Sequence, residues 1–208
     1  LYVNDPVAVT AEGTPVRIVR NAETNLGDLC ADAYRALSNA DIAFVNGGGI
    51  RKQIEAGDIT LDDIYSVHPF GNTMCVIRVT GQQVLDALEW GARAVPSENG
   101  GFLQVSGLTY EIHTGVASSA EKDENGMFTR VSGEYRVKNV MVGGQPLELD
   151  KTYTLASHNY MLLGHGDGYT MFDGCEVRGE DMMVDNQVLI TYITTTLGGV
   201  VGEQYANP

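Results

Sequence analysis

The sequence predicts an α+β domain (mixed α/β), in which layered helices pack on mixed, antiparallel-rich sheets. Apolar residues recur at helical spacing in several segments, and the short apolar runs between them have the length of strands. From residue 102 to residue 157 the pattern is mainly β, with hairpin-turn signals at Asn125-Gly126 and Gly143-Gly144. A chain of 208 residues suits one domain, so we expect residues 1–208 to fold together.

The first predicted helix covers residues 25–37 and follows an irregular or extended segment over residues 1–19. Thr24 or Asn25 can cap this helix, and its apolar residues fall on one face. A short apolar run over residues 41–45 predicts a buried strand, and the glycines that follow it predict a special turn.

Three further elements are predicted before residue 100. A short helix begins after Thr60, with Asp62 and Asp63 in its first turn, where carboxylates favour a helix N-terminus. Alternating apolar residues predict a strand over 73–80, and helical spacing returns over 81–95.

The second half of the chain combines hairpins with a closing helix. Runs over residues 135–142 and 152–156 predict strands. The polar stretch over 114–127 predicts an exposed loop or insertion. Apolar residues at helical spacing predict the closing helix over 186–197.

The composition disfavours several classes of protein. With 27 acidic and 13 basic residues the formal net charge is −14, which disfavours binding to nucleic acid. No apolar run approaches the roughly 20 residues of a membrane helix, so we expect no membrane span. Cys30, Cys75 and Cys175 lack CxxC spacing and are expected to be packed thiols. We expect Leu1 to be the edge of a fragment or of a processed product.

Two loops carry groups suited to a phosphorylated ligand with an aromatic base. In Asn46-Gly-Gly-Gly-Ile-Arg51 the glycines expose backbone N–H groups and Arg51 offers a forked donor. The loop lacks the Lys-Ser/Thr of a Walker motif and the GxGxxG spacing, so a plain turn is the alternative. Pro69-Phe70-Gly71-Asn72 combines a ring for stacking with an amide for a base edge, the alternative being that Phe70 fills the core.

Two further segments carry charged groups. The glycines of Gly164-His-Gly-Asp-Gly168 permit a tight conformation that would present Asp167 to ribose hydroxyls. His165 beside it invites a catalytic interpretation, although turn formation accounts for both residues. Arg20 precedes the first helix, where a guanidinium can bind an anion; the alternative is a solvated Arg20 or an ion pair with Glu23.

Metal ligands form no pattern in this sequence. Neither HxxxH nor HExxH spacing is found among the four histidines, His68, His113, His158 and His165. No Asp-x-His or Asn-His-Glu cluster is present either. We therefore expect this chain to hold no metal or other cofactor, and to contain no catalytic residue of a metal-dependent hydrolase.

In their order and spacing, the segments that carry these candidate binding groups resemble the C-terminal domain of the 5′-nucleotidase family, which includes periplasmic UDP-sugar hydrolase and ecto-5′-nucleotidase. The matching stretches are Arg20-x-x-Glu23-Thr-Asn25-Leu-Gly27, Asn46-Gly-Gly-Gly-Ile-Arg51, Pro69-Phe70-Gly71-Asn72, Gly101-Phe-Leu-Gln-Val-Ser-Gly107 and Gly166-Asp-Gly-Tyr169. They span about residues 16–172, and the closing helix also fits. The resemblance implies a domain that binds the nucleoside part of a substrate and moves it against an N-terminal metallophosphoesterase domain, absent from this chain, which carries two divalent metal ions.

The resemblance assigns the polar end of the binding site. Arg20 and Arg51 would hold the phosphate or ribose end of the ligand. Asn46 would support them, together with the exposed backbone at Gly48. Asp167 would accept hydrogen bonds from the ribose hydroxyls.

The resemblance also assigns the end that binds the base. Phe70 would stack on the base, Asn72 would lie close to its edge, and Gly100 would let the backbone approach the ligand. The family places a second aromatic residue six positions before the Asp, where this chain has Met161. Either Tyr160 reaches in through a shifted loop or Met161 supplies a sulfur contact.

We expect the chain to be the substrate-binding domain of a metal-dependent 5′-nucleotidase that hydrolyses nucleotide phosphoesters in nucleotide catabolism. The isolated chain would bind a small nucleoside or nucleotide and hydrolyse nothing. A stand-alone nucleoside-binding module is one alternative, and a self-sufficient hydrolase using His165 and Asp167 is another. The resemblance further implies an extracytoplasmic location, which is periplasmic, secreted or at the cell surface.

Overall fold

The computed structural model describes residues 8–9, 13 and 15–208. Five α-helices lie in the described chain: α1 (Asn25–Ser38), α2 (Leu61–Val67), α3 (Gly81–Ala92), α4 (Asn159–Leu162) and α5 (Asp185–Thr191). The strands are β1 (Ala8–Val9), β2 (Pro15–Val16), β3 (Ile42–Asn46), β4 (Met74–Thr80), β5 (Leu103–Ser106), β6 (Leu108–Ile112), β7 (Ala120–Lys122), β8 (Phe128–Val131), β9 (Val137–Val142), β10 (Gln145–Pro146), β11 (Thr152–His158) and β12 (Val177–Gly179). Short 3-10 turns at Ile18–Arg20, Gly47–Gly49 and Gly166–Gly168 connect these elements. None of the described helices is long and apolar enough to cross a bilayer.

The largest sheet has five strands in the order β12-β4-β11-β3-β5. Strands β3 and β11 are parallel, whereas the other neighbouring pairs are antiparallel. The carboxyl ends of β3 and β11 therefore lie at the same edge of the sheet as the beginnings of β4 and β5. A second sheet has three strands in the order β10-β9-β6. The predicted α+β class with mixed, antiparallel-rich sheets is confirmed.

Apolar cores cover both faces of the five-stranded sheet. All residues of β3 are buried, and successive side chains point to opposite faces. Ala43 and Val45 belong to the core beneath α1 and α5, whereas Ile42 and Phe44 belong to the core beneath α3. A continuous apolar run predicts such a strand because neither face is exposed to water.

Threonine side chains fix where the first three helices begin. Thr24 caps α1, as predicted, by accepting a hydrogen bond from the N–H of Gly27 at 3.0 Å. Thr60 and Thr80 begin α2 and α3 with reciprocal capping boxes. Each cap pairs backbone donors that a helix leaves unsatisfied, and so it also fixes the loop in front of the helix.

The helices and strands predicted for the first half of the chain are present, with small shifts of their ends. The predicted helix over 81–95 ends early, at Ala92, where the guanidinium of Arg136 donates to the carbonyl oxygens of Ala92 and Val95 at 3.2 and 2.8 Å. Because Arg136 is distant in sequence, no local pattern predicts this end of α3.

Three other predictions need correction. The stretch over 114–127 is not only a loop, because it contains β7, which pairs with β8 in a hairpin. The closing helix begins at Asp185, and α5 continues as a π-helical turn over Tyr192–Thr196. The segment over 1–19 lies partly outside the described residues; within them β1 pairs with β2, and a 3-10 turn begins at Ile18.

Candidate functional site

A cavity of about 500 Å³ opens where β3 and β11 end and β4 and β5 begin. Its walls come from loops that lie far apart in sequence. The residues that line it are Arg20, Asn46, Gly48, Gly49, Arg51, Phe70, Asn72, Gly100, Tyr160 and Asp167. Every predicted site residue except Met161 therefore lines this one cavity. Loops at the carboxyl ends of parallel strands are a common position for ligand sites in α/β folds.

The glycine turn Gly47–Gly49 joins two other segments of this wall. The N–H of Gly48 donates to the carbonyl oxygen of Gly100 at 2.7 Å. A Cβ atom added at Gly47 would lie only 2.0 Å from the carbonyl oxygen of Val19, so the turn that carries Arg20 packs directly against Gly47. Glycine is required here because the two backbones approach too closely for any side chain.

Asp167 is held from three sides. Its carboxylate accepts a hydrogen bond from the side-chain amide of Asn46 at 2.6 Å and a longer one from the hydroxyl of Tyr160 at 3.4 Å. The indole N–H of Trp90, which is fully buried, donates to its backbone carbonyl oxygen at 2.9 Å. Asp167 has φ 55°, a left-handed conformation that residues other than glycine seldom adopt, although Asp adopts it more readily than most.

Asn46 is itself held by a buried histidine. The ring Nε2 of His158, the last residue of β11, lies 2.9 Å from Oδ1 of Asn46. Burial and, to a smaller extent, the nearby His68 lower the pKa of His158 to about 3, so the ring is neutral at physiological pH. A Cβ atom added at Gly49 would lie 2.7 Å from Oδ1 of Asn46, so the amide folds closely against the glycine turn.

Arg20 and Arg51 are two positively charged residues that line the cavity. Within residues 15–208 neither side chain forms an ion pair, and the predicted alternative, a pair between Arg20 and Glu23, is absent. Partial burial and the guanidinium groups of Arg17 and Arg51 lower the pKa of Arg20. Arg17 is neutralised by Glu98 at 2.6 Å. The unpaired guanidinium groups therefore favour an anionic ligand in spite of the chain's net charge of −14.

Two aromatic rings are exposed at this cavity. Phe70 is 60% exposed and Tyr160 is 44% exposed, so the alternative in which Phe70 fills the core does not apply. The guanidinium carbon of Arg51 lies 5.7 Å from the centre of the Phe70 ring. The loop that carries Phe70 is fixed at Asn72, whose N–H donates to the buried carboxylate of Asp185 at 3.2 Å.

Met161 is not part of the cavity wall. Its side chain is fully buried in the core that includes Trp90, whereas its neighbour Tyr160 faces the cavity. The two residues occupy adjacent positions in α4, a single helical turn, and adjacent helical residues point in different directions. The prediction that Met161 belongs to the site is wrong for this reason, and Tyr160 is the aromatic residue that reaches the cavity.

The remaining candidate groups lie elsewhere. The ring of His165 pairs with the carboxylate of Asp173 and does not line the cavity, which gives no support to a catalytic His165–Asp167 pair. In the part of the chain that the structure describes, no three His, Cys, Asp or Glu side chains converge as metal ligands. Cys30, Cys75 and Cys175 are free thiols, and the first two are buried.

Sequence patterns missed three contributors to the site. Gly49 lines the cavity. The run of three glycines indicated a ligand-binding turn but did not show which of the glycines line the cavity. Trp90 forms a hydrogen bond with Asp167, and His158 forms one with Asn46. A single tryptophan on a helix and a histidine at the end of an apolar run carry no local signal for these contacts.

The mixed sheet and the cavity at its edge define the class of protein: an α+β domain that presents two guanidinium groups, two aromatic rings and a carboxylate around one opening. Residues 6–174 match the family described as 5′-nucleotidase, C-terminal domain. The chain belongs to this family, as its sequence motifs predicted.

Relatives and solved structures agree with this assignment. The chain is 36% identical over 187 residues to the trifunctional nucleotide phosphoesterase protein YfkN of Bacillus subtilis, covering 88% of this chain and 12% of that protein. It is 34% identical to a 5′-nucleotidase of Vibrio cholerae, covering 85% of this chain and 28% of that protein. It also resembles the crystal structure of a 5′-nucleotidase precursor from Thermus thermophilus, with a TM-score of 0.73, 33% identity, and 86% and 34% of the two chains covered. The chain thus spans about a third or less of the length of these relatives.

Proposed function

We propose that this chain is the nucleoside- and nucleotide-binding domain of a metal-dependent 5′-nucleotidase. The observation that carries the proposal is the cavity in which unpaired Arg20 and Arg51 lie together with exposed Phe70 and Tyr160 and with Asp167. A nucleotide has an anionic end, an aromatic base and a ribose diol between them. Guanidinium groups, aromatic rings and a carboxylate are the side chains that bind these three parts.

In this proposal each wall of the cavity binds one part of the ligand. Arg20 and Arg51 bind phosphate or the ribose end, and Asp167 accepts hydrogen bonds from the ribose hydroxyls. Phe70 stacks on the base, with Tyr160 as the second aromatic wall. Asn46, Gly48 and Gly100 shape the polar end, and Asn72 lies close to the base edge.

Hydrolysis belongs, in the same proposal, to a part of the protein outside this chain. Residues 1–208 form a single domain that acts with an N-terminal metallophosphoesterase domain of the same polypeptide, where two divalent metal ions would activate the attacking water. In this proposal the role of residues 1–208 is to bind and orient the substrate. The names of the relatives, a nucleotide phosphoesterase and a 5′-nucleotidase, support nucleotide phosphoesters as the substrate class and nucleotide catabolism as the role. The family resemblance further supports an extracytoplasmic location.

Calorimetric titration of the isolated chain with adenosine and AMP tests the binding. Phe70→Ala removes the ring and should weaken binding of both ligands by about 1–3 kcal/mol, or roughly 5- to 150-fold, the range expected for one base stack. Tyr65→Ala is the matched control, because Tyr65 is an exposed aromatic residue on α2 that does not line the cavity. Absence of binding to any purine or pyrimidine nucleoside or nucleotide would disprove the proposal, and unchanged affinity in Phe70→Ala would remove this ring from the site.

A further inference from the structure

The parallel strands β3 and β11 bring the side chains of two terminal residues together beneath the cavity. Asn46 ends β3 and is 4% exposed, and His158 ends β11 and is 2% exposed. His158 does not line the cavity, so it cannot contact a ligand there. Its contact with Asn46, through Nε2 and Oδ1 at 2.9 Å, connects it indirectly to Asp167.

The chemistry of these groups fixes the direction of each hydrogen bond. The carboxylate of Asp167 only accepts, so the amide of Asn46 must turn its nitrogen towards it, which is the 2.6 Å contact. The amide oxygen then faces His158 and needs a donor. A neutral imidazole has a single N–H, which must therefore be on Nε2.

We propose that His158 is a positioning residue, which donates from Nε2 to Asn46 and thereby directs the carboxylate of Asp167 at the ribose diol. The Asn46 amide nitrogen donates a hydrogen bond to Oδ2 of Asp167. Among the described residues the other oxygen, Oδ1, has only the long contact to Tyr160, and it lies on the side of Gly100, where an added Cβ atom would be 3.8 Å away. This role of His158 rests on the proposed function, because the diol is the group that Oδ1 would bind.

Two features of the surroundings support a fixed, neutral ring. Burial lowers the pKa of His158 to about 3, so the ring does not gain a second proton in the range where proteins usually work. The ring also packs edge-on against Tyr34, with a distance of 6.4 Å between the ring centres. If Asn46 lost this donor, its amide would be free to rotate and present its oxygen to Asp167, where two acceptors repel each other.

The state of the ring can be measured without any ligand. ¹⁵N NMR of the wild-type chain at neutral pH should identify His158 as the Nε2–H tautomer, and the side-chain NH₂ of Asn46 should be protected from hydrogen exchange. In His158→Leu that protection should be lost, whereas Ser157→Ala, at a neighbouring buried position whose hydroxyl has no partner among the described residues, should keep it. An Nδ1–H tautomer in the wild type would overturn the proposal.

The effect on recognition is measured by comparing adenosine with 2′,3′-dideoxyadenosine. His158→Leu should weaken adenosine binding about tenfold, the size expected for one charge-assisted hydrogen bond, and should leave the dideoxynucleoside within about twofold. His158→Gln, whose amide can also donate to Asn46, should restore most of the adenosine affinity. Equal weakening of both ligands would indicate a general structural role and overturn the proposal. If the wild type binds neither, the proposed function fails, and the tautomer and exchange measurements still decide whether His158 positions Asn46.

Discussion

The closest backbone contact in the candidate site gives a sharp test of how the site is built. Gly47 lies against the turn Ile18–Arg20, and a Cβ atom at Gly47 would be 2.0 Å from the carbonyl oxygen of Val19 and 3.2 Å from Cα of Arg20. The variant Gly47→Ala therefore pushes the turn that carries Arg20 away from the glycine turn that follows Asn46.

The cost of this variant follows from what has to move. The obstructing atom belongs to the backbone, so no side-chain rotation relieves the overlap, and overpacking of this kind costs about 1–3 kcal/mol. The same carbonyl oxygen accepts a hydrogen bond from the buried side chain of Gln104 at 3.1 Å, whose loss adds about 1 kcal/mol. Gly47→Ala should thus lower the free energy of unfolding by about 3 kcal/mol and the Tm by roughly 6–12 °C.

Urea titration measures this change directly. The single tryptophan, Trp90, is fully buried, so its fluorescence reports unfolding of the whole domain. The control is Gly115→Ala, because no atom lies within 4 Å of the added Cβ at Gly115, and its unfolding free energy should stay within about 0.5 kcal/mol of the wild type. If the two variants proved equally stable, the close packing of these two turns would be refuted.

Three further variants test other contacts. Trp90→Phe leaves the carbonyl oxygen of Asp167 without its donor and should lower the unfolding free energy by about 1–3 kcal/mol, measured by circular dichroism; an unchanged value would mean that this bond contributes nothing. Burial is the main cause that raises the pKa of Asp28 from 3.8 to about 7. The folded state therefore binds this proton more tightly than the unfolded state, and stability is lost as the pH rises from about 4 to about 7. Asp28→Asn should therefore match the wild type in thermal melts near about pH 4 and exceed it near about pH 8, and a constant difference would contradict the sign. Asp185→Ala removes the acceptor of the Asn72 N–H and should accelerate hydrogen exchange at that amide, whereas unchanged exchange would show that the loop is fixed by other contacts.

Much of the fold was predictable because its signals are local. Thr24 and Thr60 cap helices at the positions where their sequence patterns place them, and the apolar run of β3 predicts a strand buried on both faces. The end of α3 was not predictable, since the guanidinium of Arg136, which donates to the carbonyl oxygens of Ala92 and Val95, comes from a bend just before β9, distant in sequence.

The residues of the candidate site were only partly predictable from the sequence. Motif order identified residues that the fold does bring to one cavity, Arg20 and Asp167 among them. The choice between Tyr160 and Met161 was not predictable, because it depends on the direction of each side chain in the single turn of α4. His158 was also missed, since its partner Asn46 ends another strand and only the parallel pairing of the two strands joins them.

The walls of the cavity extend in sequence from Arg20 to Asp167, and this separation has a consequence for how the protein folds. No contiguous segment contains enough of the cavity to form it early, and contacts between distant residues form late because closing long loops costs entropy. The cavity should therefore appear only in the final cooperative step of folding, with no partly assembled site in intermediates. A ligand that binds this cavity binds only the complete native state and therefore stabilises every element at once. The ligand concentration then controls how long the whole domain resists unfolding and proteolysis.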